Sequence, residues 1–265
     1  MTVSYLERDG GRIAYEVHGQ GPLVVLSHGV GENRRSFRHL VPLLVAAGHR
    51  VASVDVRGHG ASSADRPSYT PAEVGADLLA VVGALGGGPA TLVGSSSSAA
   101  AVVFAAADAP ALVNGIVQVA PFVEEPKLNP FTRLIQTAVL RSPRMFGLFH
   151  RTLFPCGRPA DDAAYRRAMV ANLREPGRMA AMRGVLAPAE PHWTARAREV
   201  RQPVLVLMGT KDPDFPDPRA GAWAARRLFA TAEARMIDES GHYPHADQPA
   251  RTAAQLTEFL AATGA

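Results

Sequence analysis

Between Ala90 and Ala107 a short apolar run with β propensity becomes an alanine-rich helical stretch, and only Gly94 and the serines 95–98 separate the two. A strand that turns into a helix over so few residues must turn sharply. The residue at the apex is then forced into a strained backbone conformation, and its side chain projects from the end of the sheet. The pattern is the Gly-x-Ser-x-small of a nucleophile elbow, with Ser96 at the apex. Gly94 and Ser98 stand two residues to either side, where the strand and helix backbones crowd each other and little side chain fits. The Ser97 N–H lies at the helix start, where backbone N–H groups are unpaired and the dipole is positive. A developing oxyanion can be held there. A serine-rich turn in which Ser95 or Ser96 merely caps a helix carries the same string, so the rest of the chain has to decide.

The surrounding rhythm is strand and helix in alternation. Ser4–Arg8 and Arg12–His18 alternate around Asp9-Gly10-Gly11, a hairpin signal. Pro22–Ser27, Arg50–Asp55 and Pro203–Met208 read as strands buried on both faces, with Gly115–Val119 and Ala232–Ile237 as two more. Helical patterns cover Phe37–Ala47, Pro71–Leu85, Pro218–Leu228 and Thr252–Ala262. Such alternation implies right-handed crossovers and an α/β fold, a mostly parallel central sheet flanked by helices. Sites in these sheets form at the carboxyl ends of the strands.

From Pro121 to about Val200 the rhythm breaks, and four proline-separated helical patterns take over: Phe131–Leu140, Arg144–Leu153, Asp161–Leu173 and Gly177–Leu186. This is a helical cap inserted after the sixth strand. It divides the chain into core 1–120, cap 121–200 and core 201–265. Met145, Phe146, Phe149, Phe154, Met169, Met179 and Met182 are its large apolar residues. They are expected to pack within the cap, with a minority lining a substrate pocket.

With 265 residues, 47% hydrophobic and 20% charged, the chain has room for one large domain with an insertion and a sizeable core. The net charge of +4 rests almost wholly on scattered arginines, Lys127 and Lys211 being the only lysines. No basic run supports a nucleic-acid partner. Cys156 stands alone, so nothing demands an oxidising compartment. Residues 1–10 lack the apolar stretch of a signal peptide, and no segment has the length of a membrane span. The expectation is a cytoplasmic protein, monomer or homodimer, acting on a small molecule with neither membrane nor nucleic acid as partner. No metal-ligand cluster and no glycine-rich nucleotide loop stands out, and no cofactor is expected.

Three residues at three strand ends then combine. A serine hydroxyl is a poor nucleophile until a base takes its proton, and the base is usually a histidine oriented by a carboxylate. Ser96, Asp212 and His242 each follow a strand at its carboxyl end, in the chain order Ser, acid, His. His245 is the alternative base, Asp214 the alternative acid, and Glu124 or Glu125 a more distant one. The glycine-rich settings of His28 and His59 suit scaffold roles, the first beside an oxyanion hole. Arg34 and Arg35 suit either anion recognition or a solvated surface.

On these residues the chain resembles the α/β-hydrolase fold superfamily, in its capped serine-hydrolase group of esterase, lactonase and perhydrolase type. The likeness spans nearly the whole chain. Its carriers are His28-Gly29-Val30-Gly31, Asp55-Val56-Arg57-Gly58-His59-Gly60, Gly94-Ser95-Ser96-Ser97-Ser98, Gly209-Thr210-Lys211-Asp212 and Gly241-His242. The resemblance implies Ser96 as nucleophile, Asp212 as acid, His242 as base, and an oxyanion hole made by the N–H groups of Val30 and Ser97. Ser98 departs from the glycine that usually ends the elbow, and Ser95 from the larger residue often found before the nucleophile. Relatives that open epoxides or remove halide carry aspartate at the apex, so Ser96 argues against both chemistries. The implied reaction is cleavage of a small or medium carboxylic ester, lactone or thioester through an acyl-enzyme. The same triad stays open to C–C bond hydrolysis, perhydrolysis or intramolecular acyl transfer such as cyclisation. The fold also admits a non-catalytic ligand-binding protein.

Overall fold

The computed structural model describes residues 2–124, 129–188 and 192–263; Glu125, one of the alternative acids, lies outside them. Eight strands, β1 (Ser4–Arg8), β2 (Gly11–His18), β3 (Leu23–Ser27), β4 (Arg50–Val54), β5 (Ala90–Ser95), β6 (Val113–Val119), β7 (Val204–Gly209) and β8 (Ala232–Ile237), form one sheet. The order is β1-β2-β4-β3-β5-β6-β7-β8. The β1–β2 hairpin is antiparallel to β4, and every pairing from β4 through β8 is parallel. The α/β expectation therefore holds.

Around the sheet lie α1 (Val41–Ala46), α2 (Pro71–Leu85), α3 (Ser98–Asp108), α9 (Pro218–Arg226), α10 (Pro244–Asp247) and α11 (Pro249–Thr263). Between β6 and β7 the chain inserts α4 (Pro130–Val139), α5 (Pro143–Thr152), α6 (Asp162–Leu173), α7 (Arg178–Val185) and α8 (Trp193–Arg196). Strands β3, β5 and β7 are buried at every residue, which is why their sequences run apolar without alternation. Successive side chains point to opposite faces. Leu92 thus joins Leu78, Val102 and Val103 under α2 and α3, while Val93 joins Leu205, Leu256 and Leu260 under α11.

Proline placement governs where helices begin. In α2, α4, α5 and α9 a polar side chain, Thr70, Asn129, Ser142 or Asp217, accepts an N–H of the first turn, and a proline follows it. The helix read over Phe37–Ala47 is instead a 3-10 turn at Arg34–Phe37 and the short α1. The Asn33 side chain accepts from the Arg35 N–H and starts a tight turn early, and Pro42 has no N–H to continue a helix through it. The four-residue helices α8 and α10 are too short for a periodic signal.

The inserted helices share a small core of Val139, Phe146, Tyr165, Met169, Leu173 and Met182. Of the apolar residues expected to pack there, Phe154 is also buried, Phe149 and Met179 are partly so, and Met145 is exposed. Polar contacts fasten the insertion to the sheet's loops. Arg178 donates to the Ser62 carbonyl, Asn172 exchanges two hydrogen bonds with Gly60, and Arg38 reaches Asp161. Among the described residues no helix is long and apolar enough to cross a membrane.

Candidate active site

The junction of β5 and α3 is as tight as its sequence requires. Ser96 sits at φ 53°, a left-handed conformation that a residue with a side chain adopts only when its surroundings impose it. Two constraints impose it here. The Ser96 N–H donates to the Val119 carbonyl at 2.8 Å, and the Ser96 carbonyl accepts the Ala99 N–H at 2.9 Å. A side chain on Gly94 would collide with the Ser98 carbonyl, so only glycine lets strand and helix approach this closely. Ser98, where glycine is usual, has a use for its hydroxyl. It donates to the His28 carbonyl at 2.6 Å and accepts from Ser27 Oγ at 2.9 Å, tying the elbow helix to the end of β3.

The loop after β3 lies directly against the apex. A Cβ added to Gly29 would stand 3.1 Å from Ser96 Cβ and 3.5 Å from the ring and hydroxyl of Tyr243. Val30 is the next residue, and among the described residues neither the Val30 nor the Ser97 N–H has a hydrogen-bond acceptor. Two buried histidines hold this loop. His28 Nδ1 donates to the Gly29 carbonyl at 2.7 Å and its Nε2 accepts the Val56 N–H at 3.0 Å. His59 Nδ1 donates to the Arg57 carbonyl at 3.1 Å and its Nε2 accepts the Gly31 N–H at 3.0 Å. Both patterns require a neutral ring. Burial supplies it, lowering the His28 pKa and taking that of His59 to about 3.

The loops after β7 and β8 are zipped together. The Thr210 N–H donates to the Ile237 carbonyl and the Lys211 N–H to the Ser240 carbonyl, each at 2.9 Å. That lacing brings His242 Nδ1 to 2.8 Å from Asp212 Oδ2, with both side chains almost fully buried. The other Asp212 oxygen accepts the Asp214 N–H at 3.0 Å. Burial disfavours the charged His242 ring. The Asp212 charge and hydrogen bond, with Asp214 behind, outweigh that and raise its pKa. The Phe122 ring lies 5.9 Å from the imidazole, and Phe215 stacks on Phe122 at 4.7 Å. No hydrogen bond joins Ser96 to His242; in free enzymes such bonds are often long and tighten only with substrate.

The alternative residues fall elsewhere. His245 is fully buried, packs at a tilt on Phe37 at 4.5 Å and faces Ser36 Oγ at 3.5 Å; burial holds its pKa at about 4. Asp214 Oδ2 is 3.8 Å from His242 Nδ1 on a side chain about one quarter exposed. Asp212, Asp214 and His242 are also close enough to be grouped as metal ligands, within 4.8 Å, but Asp212 already takes the Nδ1 proton. Arg34 is spent on Asp55 and Glu16. With Arg35 it lines an open cleft of about 420 Å³ that none of Ser96, Asp212 and His242 borders. Glu32, His150, Tyr165 and Tyr243, which pack around the loop that carries Val30, were not legible as site residues in the sequence. The one signal was an acidic residue in an otherwise glycine-rich, apolar turn.

Comparison with known proteins places this architecture. A family model described as "Alpha/beta hydrolase family" matches residues 24–255. A 2-(acetamidomethylene)succinate hydrolase of Mesorhizobium japonicum is 27% identical over 95% of this chain and 93% of its own. Epoxide hydrolase A of Mycobacterium tuberculosis is 25% identical over 98% of this chain and 97% of its own. The crystal structure of an esterase from a Rhodococcus species, ECU1013, matches with a TM-score of 0.81 at 26% identity, covering 98% and 99% of the two chains.

Proposed function

This chain belongs to the α/β-hydrolase family and is a hydrolase of that family; within it, we propose a serine hydrolase that cleaves a small or medium carboxylic ester, lactone or thioester through Ser96, His242 and Asp212. The observation that carries the reading is the Ser96 backbone, held at φ 53° at the carboxyl end of β5 with the Gly29 loop against it. Backbone strain of this kind clusters at functional sites.

The chemistry follows from the protons. Asp212 takes the Nδ1 proton of His242, so Nε2 faces outward with a lone pair. Nε2 accepts the Ser96 proton as Oγ attacks the carbonyl carbon. The Val30 and Ser97 N–H groups receive the oxyanion, and the imidazolium hands its proton to the leaving oxygen or sulfur. A water activated by the same Nε2 then releases the acid. The helices of residues 121–200 serve as the cap that shapes the pocket. Epoxide opening, the activity named for one relative, is disfavoured because serine rather than aspartate stands at the apex. The rings of Phe122 and Phe215 beside His242 favour an apolar acyl or alcohol group over a highly charged one.

A serine-directed phosphonate is expected to add one label per chain, at Ser96, and none to Ser96→Ala. A label retained by Ser96→Ala moves the nucleophile to Ser95 or Ser97. Substrate panels separate the chemistries: aryl ester turnover supports the reading, whereas cleavage of a C–C substrate with no ester turnover replaces it.

The pH profile supplies an independent check. His242 acts as base only when neutral, and its pKa lies above the ordinary imidazole value of 6.5. The acid limb of kcat/KM is therefore expected above pH 6.5, falling about tenfold per unit below the limb. A limb at or below 6.5 overturns that balance, showing burial to outweigh the Asp212 charge at His242.

A further inference from the structure

Glu32 is a buried carboxylate on the loop that follows β3. It lies two residues beyond Val30 and is 3% exposed. Its backbone N–H closes a turn onto the Gly29 carbonyl at 3.3 Å. Its Oε1 has two partners, both from the inserted helices: His150 Nε2 of α5 at 3.3 Å and the Tyr165 hydroxyl of α6 at 3.4 Å. Its Oε2 is buried with no hydrogen-bond partner among the described residues. Beside it, the Phe146 ring of α5 packs on the Gly31 backbone so closely that no side chain fits there. On the far side of the loop, the His150 ring stacks on Tyr243 at 5.6 Å, and Tyr243 lies edge-on to His242 at 4.9 Å. The inserted helices, the oxyanion loop and the base thus meet at one buried carboxylate.

We infer that Glu32 is a positioning residue, through which α5 and α6 hold the oxyanion loop against Ser96 and which adds its charge to that of Asp212 at His242. The inference rests on the serine-hydrolase reading above. Physically, a buried carboxylate cannot stand without donors, so His150 and Tyr165 must be in place whenever Glu32 is in place. Docking of the inserted helices and order in the Val30 loop are then one event. The charge is present at neutral pH. Burial pushes the carboxyl up, but the His150 hydrogen bond opposes this and the carboxyl lies below its ordinary value. With Oε2 unpaired, that charge is only partly neutralised by its own contacts and acts on the nearby imidazole. The other charged or titratable groups around Glu32 and His242 include Asp212 and Asp214 at His242, Tyr243 between the two, Asp55 and its partner Arg34 beyond His28, and Arg38, whose guanidinium lies 4.3 Å over the Tyr165 ring.

The experiment is steady-state hydrolysis of a soluble aryl ester across pH by wild type, Glu32→Gln, Glu32→Asp and Tyr165→Phe. Outright loss of one oxyanion donor costs about 100- to 1000-fold in kcat, so a loosened donor loop in Glu32→Gln is expected to cost roughly tenfold or more with KM little changed. Its acid limb is expected to move to lower pH, since a negative charge near His242 is gone. Glu32→Asp keeps the charge but shortens the reach, so it lowers kcat while leaving the limb near wild type. Tyr165→Phe removes one donor and lowers kcat less. A purely structural Glu32 would not move the limb. A Glu32→Gln variant with wild-type kcat and limb overturns the inference. If wild type itself turns over no ester and takes no phosphonate at Ser96, the serine reading is what fails. The Glu32–His150 link is then judged by melting Glu32→Gln, His150→Phe and the double variant. The double is expected to cost no more than the worse single, and strict additivity overturns the link.

Discussion

Asp212→Asn is expected to lower ester turnover by roughly four orders of magnitude, by analogy with the serine-protease triad, with the circular dichroism spectrum of wild type retained. Asparagine keeps the shape and the bond from the Asp214 N–H to Oδ1. What it loses is the acceptor that fixes the proton on His242 Nδ1, 2.8 Å away. The amide can instead donate to Nδ1, which places the ring proton on Nε2, where it cannot accept from Ser96. The negative charge that supports the imidazolium in the transition state goes as well. Asp214→Asn is expected to change turnover little. Its carboxylate stands 3.8 Å from Nδ1, too far for a hydrogen bond, and burial raises its pKa, so it holds its charge less firmly. Asp214 acts through its backbone N–H, which the substitution leaves alone. Initial rates on an aryl ester for the two variants decide the matter, and the reverse ranking assigns the acid to Asp214.

Asp77→Ala is expected to destabilise the fold by about 3–5 kcal/mol, the cost of breaking a buried ion pair from one side. Arg57, in the glycine-rich loop after β4, is 1% exposed, and its Nε and Nη2 donate to the two Asp77 oxygens at 2.7 Å each. Glu73 and the Ser68 carbonyl hold only the remaining Nη1. Truncating Asp77 therefore leaves two donors of a buried guanidinium without their acceptors, with Asp9 too distant, at 3.8 Å, to take over. For a chain of this size the melting temperature drops on the order of 10 °C. The pair is not itself a large source of stability. Replacing both partners by apolar residues, Arg57→Met with Asp77→Leu, is expected to restore much of the loss. Asp108→Ala, which removes an exposed partner of Arg196, is expected to cost less than about 1 kcal/mol. A melting point for Asp77→Ala within a degree or two of wild type would show that the loop tolerates an unpaired Arg57.

The fold was legible because burial on both faces leaves a plain mark on a strand. The runs around Val24–Leu26 and Leu205–Leu207 admit no polar residue, and prolines mark where helices start. Short elements left no such mark. The tight turn at Arg34–Phe37 depends on one Asn33 side chain, and α8 and α10 span a single turn each. At the site, Ser96, Asp212 and His242 were legible as strand-end residues because sheet geometry carries every such end to one edge. Gly94 and the small residues after it permit the Ser96 turn, and the Val119 carbonyl of the neighbouring strand β6 helps to hold it.

Sequence favoured Asp212 over Asp214 and His242 over His245 from their places just past the strand ends, but each pair lies within three residues, so it could not show which side chains meet. The tertiary lacing of the β7 and β8 loops decides which carboxylate meets which ring, turning Asp212 onto Nδ1 and His245 onto Ser36 and Phe37. Glu32 was illegible for the same reason. Its partners His150 and Tyr165 stand more than a hundred residues away, and nothing in a linear pattern says that a carboxylate beside Val30 will be buried. Periodicity records which face of an element is buried, and it determined the sheet, its helices and the strand ends where chemistry can sit. Which polar groups meet across loops depends on the folded path of several segments at once, and only the tertiary structure settled that.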